Sequence, residues 1–136
     1  MCKSQGRIAG GAIAMMLATT AFAAPADLLR DYEKAASEAS PLFSGLSAER
    51  GAQFFRTPHG GEWSCASCHT AKPLVPGQHA KTGKTIEPLA PSVNAQRFSD
   101  PARVEKWFRR NCNDVLSRPC TPQEKGDVLA FLLSLQ

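Results

Sequence analysis

The run Cys65-Ala66-Ser67-Cys68-His69 constrains this chain more than any other feature. Two thiols separated by two residues can add to the two vinyl groups of one porphyrin, and the adjoining imidazole is then held beneath the iron. The pattern predicts one covalent haem c, with Cys65 and Cys68 as attachment points and His69 as the proximal iron ligand. Paired cysteines also serve zinc sites and thioredoxin-like redox pairs. The first needs a second ligand pair at compatible spacing and the second a βαβ setting.

The N-terminus carries an independent requirement of haem attachment, which is export. Lys3 and Arg7 precede an apolar stretch over 8–20, followed by Ala21-Phe22-Ala23. Small residues at these positions predict a signal peptide over 1–23, cut after Ala23. The apolar stretch is short for a permanent anchor, and Cys2 lies ahead of it. Haem is joined to paired cysteines outside the cytoplasm, so motif and signal agree on a periplasmic protein with no permanent membrane anchor.

What remains is the size of one small domain. Removing Lys3 and Arg7 leaves fourteen basic and twelve acidic residues, a net charge of +2 before the haem propionates are counted. Two ionised propionates bring the total near neutrality. That balance argues against a nucleic-acid partner and gives no strong electrostatic address for a partner protein. A core this small is marginal on burial alone, and a flat apolar porphyrin would complete it.

Within the mature chain, 24–46 reads as a helix (26–37) and a linker containing Pro41, and 47–136 as the haem-binding domain. A second helix starts at Ser47 as N-cap with Glu49 in its first turn, carries Gly51, Phe54 and Phe55 on one side, and stops near Thr57-Pro58. The stretch from His69 to Phe98 holds four prolines and two glycines with little periodicity, the signature of an ordered loop wrapped around something. Asp100 and Pro101 then open a helix with Val104, Trp107 and Phe108 on one face. Thr121, Pro122 and Glu124 form a capping box for the last helix, whose buried side is Val128, Leu129, Phe131, Leu132 and Leu135. No strand pattern of useful length is visible. A glycine and an aromatic before the haem motif, Gly51 and Phe55, with Phe131 on the terminal helix, resemble the crossed helices of class I cytochromes c. The expected fold is all-α, of that class, with a long haem-wrapping loop.

The sixth position on iron is narrowed by an absence. The chain's methionines are Met1, Met15 and Met16, all of which leave with the signal, so the mature protein has no thioether to offer. His59, His79, a lysine, an amide or water remain. Asn111 stands out as an amide one turn beyond Val104, Trp107 and Phe108, although an asparagine near a helix end also serves to satisfy backbone groups. Beside it, Cys112 and Cys120 have no other use once haem is attached. They are expected to form a disulfide in an exported protein, the rival being zinc held by all four cysteines. Closing so short a loop contributes about 2.5 kcal/mol and pins the backbone next to Asn111. Trp107 is a candidate for packing on the porphyrin.

A wider resemblance covers nearly the whole mature chain. Gly83-Lys84-Thr85-Ile86-Glu87-Pro88-Leu89-Ala90-Pro91-Ser92, Arg97-Phe98-Ser99-Asp100, Val104-Glu105-Lys106-Trp107, Arg110-Asn111-Cys112-Asn113 and Cys120-Thr121-Pro122 are similar to the SHP family of high-spin class I cytochromes c. The resemblance implies that Asn111 is the sixth ligand of ferric haem and that O2, NO or CO binds after reduction. Ligand chemistry then makes Asn111 or Asn113 the expected hydrogen-bond donor to the bound gas. It also implies redox partner proteins, namely a dihaem cytochrome c and a membrane b-type cytochrome. The expected function is an electron-carrying cytochrome with a ligand-exchangeable haem. The alternatives are a haem enzyme acting on NO, O2 or peroxide, and a diatomic gas sensor.

Overall fold

The structure, a computed structural model, describes residues 25–136. The expected signal peptide and its cleavage point lie outside them. Among the described residues there are five helices, with one long loop between the third and fourth: α1 (Pro25–Ala39), α2 (Ala48–Arg56), α3 (Cys65–His69), α4 (Pro101–Leu116) and α5 (Pro122–Ser134). The caps are local chemistry. Ser47 Oγ accepts from Arg50 N at 3.2 Å, and Asp100 Oδ1 accepts from Arg103 N at 3.1 Å ahead of Pro101. Thr121 and Glu124 exchange side-chain and backbone hydrogen bonds at the head of α5, satisfying donors that a helix start leaves free.

Helices α2 and α5 cross in close contact. A Cβ on Gly51 would stand 1.8 Å from the Asp127 carbonyl oxygen, so the backbones approach as only glycine permits. Around the crossing, Phe55, Val128, Phe131 and Leu132 form one core cluster, with the Phe55 and Phe131 rings 5.5 Å apart. Asp127 is buried at the same point. Its Oδ1 accepts from Ser47 N at 2.6 Å and from Arg50 Nη2 at 3.0 Å, and its Oδ2 accepts from Arg50 Nε at 2.9 Å. These charge-assisted bonds tie the start of α2 to the middle of α5.

Helix α1 packs into the same body. Leu28 and Tyr32 form a second cluster with Val104 of α4 and Leu129 of α5, and Phe108 packs against it. The Tyr32 hydroxyl donates to Glu105 Oε1 at 2.7 Å and Lys125 Nζ donates to Glu105 Oε2 at 2.7 Å, joining α1, α4 and α5 through one carboxylate. The long loop contains a feature that periodicity did not register: β1 (Gly77–Gln78) and β2 (Thr85–Ile86) pair antiparallel, with Gly77 opposite Ile86. Two residues per strand are too few to show an alternating pattern. Among the described residues no helix is long and apolar enough to cross a membrane.

Two stability predictions follow from these contacts. Gly51→Ala should lower the unfolding free energy by about 2 kcal/mol through overpacking. Gly61→Ala, whose Cβ would meet Val115 O at an ordinary 3.4 Å, should change it by less than about 0.5 kcal/mol. Equal effects in urea titrations would remove the close crossing from the account. Burial opposes the charge on Glu105, but hydrogen bonds from Lys125 and Tyr32 outweigh it and hold its carboxyl below the ordinary 4.5. Its contribution is therefore complete above about pH 4.5 and lost as pH falls through the lower folded value. Glu105→Gln should flatten the acid limb of a stability profile between about pH 5 and pH 3, and an unaltered limb would contradict this.

Candidate functional site

The motif rides on a single helical turn. Gly60, at φ +88°, reverses the chain after α2, and Ser64 N donates to Ser67 Oγ at 3.0 Å to start α3. Cys65 and Cys68 are three residues apart on that turn and so lie on one side of it. Both thiols are free and half-buried. His69 closes the turn, and Thr70 leaves it at φ 64°, a conformation that costs a β-branched residue about 1–3 kcal/mol and persists only where neighbours enforce it.

Those neighbours come from the long loop. A Cβ on Gly77 would sit 2.0 Å from Cys68 O and 3.0 Å from His69 Cα, so β1 lies directly on the backbone of the motif. Ala80 N donates to Cys68 Sγ at 3.3 Å. Further along, Leu89 N and Ala90 N both donate to Pro73 O, at 2.9 and 3.0 Å. The segment before α4 is fastened in turn by Arg97, which donates to Pro88 O at 2.9 Å and Glu87 O at 2.7 Å. Backbone groups that pair poorly in an irregular loop are thereby satisfied around the motif.

The electrostatics suit a porphyrin better than a redox dithiol. Burial pushes the Cys65 thiol up to about 11, which leaves it neutral rather than poised as a nucleophilic thiolate. Burial, with the Arg97 and His79 charges adding to it, pushes His69 down to about 4. A neutral imidazole is the form that ligates iron. The Phe55 ring of the helix crossing lies 6.4 Å from the His69 ring, so the core cluster continues into the motif.

The other residues singled out from sequence divide. Cys112 and Cys120 meet at the α4–α5 junction with sulfurs 1.96 Å and Cα atoms 5.6 Å apart. Among the described residues no three His, Cys, Asp or Glu side chains converge to hold a metal ion, so the four cysteines do not make one zinc site. Asn111 is half-buried on α4 and makes no side-chain hydrogen bond with the described residues. Asn113, two residues on, is exposed. His59 is occupied locally, with Nε2 donating to Phe54 O at 2.9 Å and its ring on Phe54 at 4.2 Å. His79 shapes the turn between the strands, its backbone bonding Lys84 O and Gly83 N.

Trp107 does not share the burial of the residues expected on its helix face. Val104 is buried and Phe108 half-buried, but Trp107 is 48% exposed with the Arg110 guanidinium 5.1 Å from its ring centre. At 100° per residue it falls on the flank of the apolar face rather than its centre, one turn before Asn111. Sequence reading also missed the Asp127 tie and the role of Arg97. An aspartate inside the apolar run of α5 was the available signal for the first, since a buried carboxylate needs a partner. Arg97 was marked only as part of the Arg97-Phe98-Ser99-Asp100 resemblance, with no role attached to it.

Two thiols and a neutral imidazole on one turn, roofed by backbone, fit covalent haem, and the helix crossing beside them completes the arrangement. The chain is a class I c-type cytochrome with one haem c. Residues 41–132 match the family described as "Domain of unknown function (DUF1924)". A cytochrome c-type protein named SHP from Cereibacter sphaeroides is 50% identical over 112 residues, 79% of this chain and 81% of that protein. Cytochrome c'' from Methylophilus methylotrophus is 43% identical over 111 residues, 79% and 77% of the two chains. Oxidised SHP, described as an oxygen-binding cytochrome c, superposes with a TM-score of 0.70 at 47% identity, over 80% of this chain and 95% of that one. The solution structure of cytochrome c'', which addresses haem-ligand detachment, gives 0.70 at 42% identity over 81% and 92%. This chain belongs to the SHP and cytochrome c'' family.

Expression with a haem-attachment system should give a coloured protein whose haem resists acid-acetone extraction, and Cys65→Ala/Cys68→Ala should give one from which all haem is extracted. Retention of covalent haem by the double variant would overturn the assignment of these thiols.

Proposed function

We propose that this protein is an exported electron carrier in which Cys65 and Cys68 anchor haem, His69 ligates iron from below, and Asn111 holds the opposite position only in the ferric state. The observation that carries the reading is Asn111 itself, a half-buried amide with no side-chain hydrogen-bond partner among the described residues, in a chain with no methionine after residue 16. Haem, when bound, supplies one-electron chemistry at iron and an exchangeable axial position. An amide oxygen is a hard, weak donor. Asn111 therefore suits ferric iron and yields once the metal is reduced and softer.

The residues around Asn111 set how firmly it holds. Cys112 is the next residue and, as a disulfide with Cys120, fixes the end of α4 to the start of α5 in the oxidising compartment to which residues 1–23 direct the chain. Val104 and Phe108 seat the same helix on α1 and α5. Asn111 can thus swing on its side-chain torsions while its backbone stays in place. Once displaced, its amide N–H can donate to a diatomic gas that takes its position.

His79 and His59 are weaker claimants, since each ring is engaged locally. The oxygen binding stated for SHP and the ligand detachment addressed for cytochrome c'' support gas binding here by kinship. The same kinship supports redox partner proteins in general, and a dihaem cytochrome c and a membrane b-type cytochrome are the donors proposed.

Optical and magnetic spectra of the purified protein test the reading. The ferric form should be high-spin and lose its axial signature in Asn111→Ala, while the ferrous form should bind CO quickly and alike in both. Ferric spectra unmoved by Asn111→Ala but changed by His79→Ala would transfer the ligand role to histidine.

A further inference from the structure

Helix α4 is held differently from its neighbours. Helices α1 and α2 pack closely on α5, whereas among the described residues no other helix approaches α4 at comparable backbone distance. Side chains hold it instead. Val104 joins Leu28, Tyr32 and Leu129 in one cluster, and the Phe108 ring meets the Tyr32 ring edge-on with centres 5.9 Å apart. Apolar contact is non-directional and does little to stop a helix rolling about its own axis.

Two directional ties oppose such a roll. Cys112 is bonded to Cys120 just ahead of α5, and Glu105 accepts from Lys125 Nζ of α5 and from the Tyr32 hydroxyl of α1, each at 2.7 Å. Glu105 and Cys112 are seven residues apart, so they share one face of α4 and stand two turns, about 10 Å, from each other along it. Their partners, Lys125 and Cys120, follow in reverse order, as antiparallel neighbours should. Tyr32 is 6% exposed. Burial, then its bond to Glu105, raises the pKa of its hydroxyl, which therefore stays a donor. A helix pinned at one point can turn about it, and one pinned at two cannot. Asn111 adjoins the second pin and lies about 100° round the helix from Cys112, so any roll of α4 carries its amide along.

We propose that Glu105, gripped by Tyr32 and Lys125, is a positioning residue that keeps Asn111 aimed at the iron. With this tie broken, α4 is anchored by the disulfide and apolar contact alone. The amide then occupies its position for less of the time, and the ferric protein opens to external ligands. The inference rests on the reading of Asn111 above, and its test separates the two.

Azide titrations of the ferric holoprotein measure the tie, because azide must displace Asn111 to reach the iron. Tyr32→Phe removes one hydroxyl and no charge. It should tighten azide binding about three- to tenfold, part of what a hydrogen bond to a charged group is worth. Lys125→Met should shift the affinity the same way, and Lys125→Arg, which keeps a donor for Glu105, should restore it. In an Asn111→Ala background, where azide already binds more tightly, adding Tyr32→Phe should change the affinity by less than about twofold. Wild-type affinity in Tyr32→Phe, or an equal shift with and without Asn111, would overturn the role of Glu105 while leaving the ligand reading intact. Wild-type affinity in Asn111→Ala alone would sink both. Hydrogen exchange gives a readout away from the iron: in Tyr32→Phe the amides of 104–111 should exchange faster than in wild type while those of α2 keep their rates. Equal acceleration in both helices would mark a general loss of stability and contradict the proposal.

Discussion

The contact between Gly51 and the backbone of Asp127 is the constraint on which the rest of the molecule depends. With no side chain at 51, α2 can lie against α5 at backbone distance, and Asp127 then reaches Ser47 N and Arg50. The crossing sets where α2 ends. The motif follows within a few residues, so the position of Cys65, Cys68 and His69 is inherited from it. Phe55 belongs to both regions, packing on Phe131 at 5.5 Å and standing 6.4 Å from the His69 ring.

Chemistry at the site is divided between two kinds of structure. Below the motif the chain is held by backbone: Gly77 lies on Cys68 O, and Pro73 O is bonded by two amides. Such contacts change little with oxidation state, which suits a permanent ligand and permanent thioether bonds. Asn111 sits instead on a helix seated by a few apolar residues, its amide without a partner among the described residues. A fixed imidazole on one element and an unencumbered amide on another are what the proposed exchangeable position would require.

Much of this was legible before any coordinates. The motif, the caps at Ser47, Asp100 and Thr121, and the residues Gly51, Phe55 and Phe131 are signals of local chemistry and spacing, and all lie where regular helices preserve sequence periodicity. What escaped was decided by long-range contact. Tyr32, Glu105 and Lys125 are unremarkable apart and come together only when α1 packs on α4 and α5. The ribbon at Gly77 and Ile86 is too short for periodicity to reveal. Trp107 shares an apolar spacing with Val104 and Phe108, but its flank position leaves it 48% exposed beneath Arg110.

The account stands or falls on what occupies the iron's sixth position in each oxidation state. X-ray absorption at the iron edge of the purified holoprotein measures this directly. Ferric protein should show only nitrogen and oxygen neighbours, one of them lost on reduction. Sulfur scattering in either state, or a first shell that keeps its full complement when the iron is reduced, would contradict it.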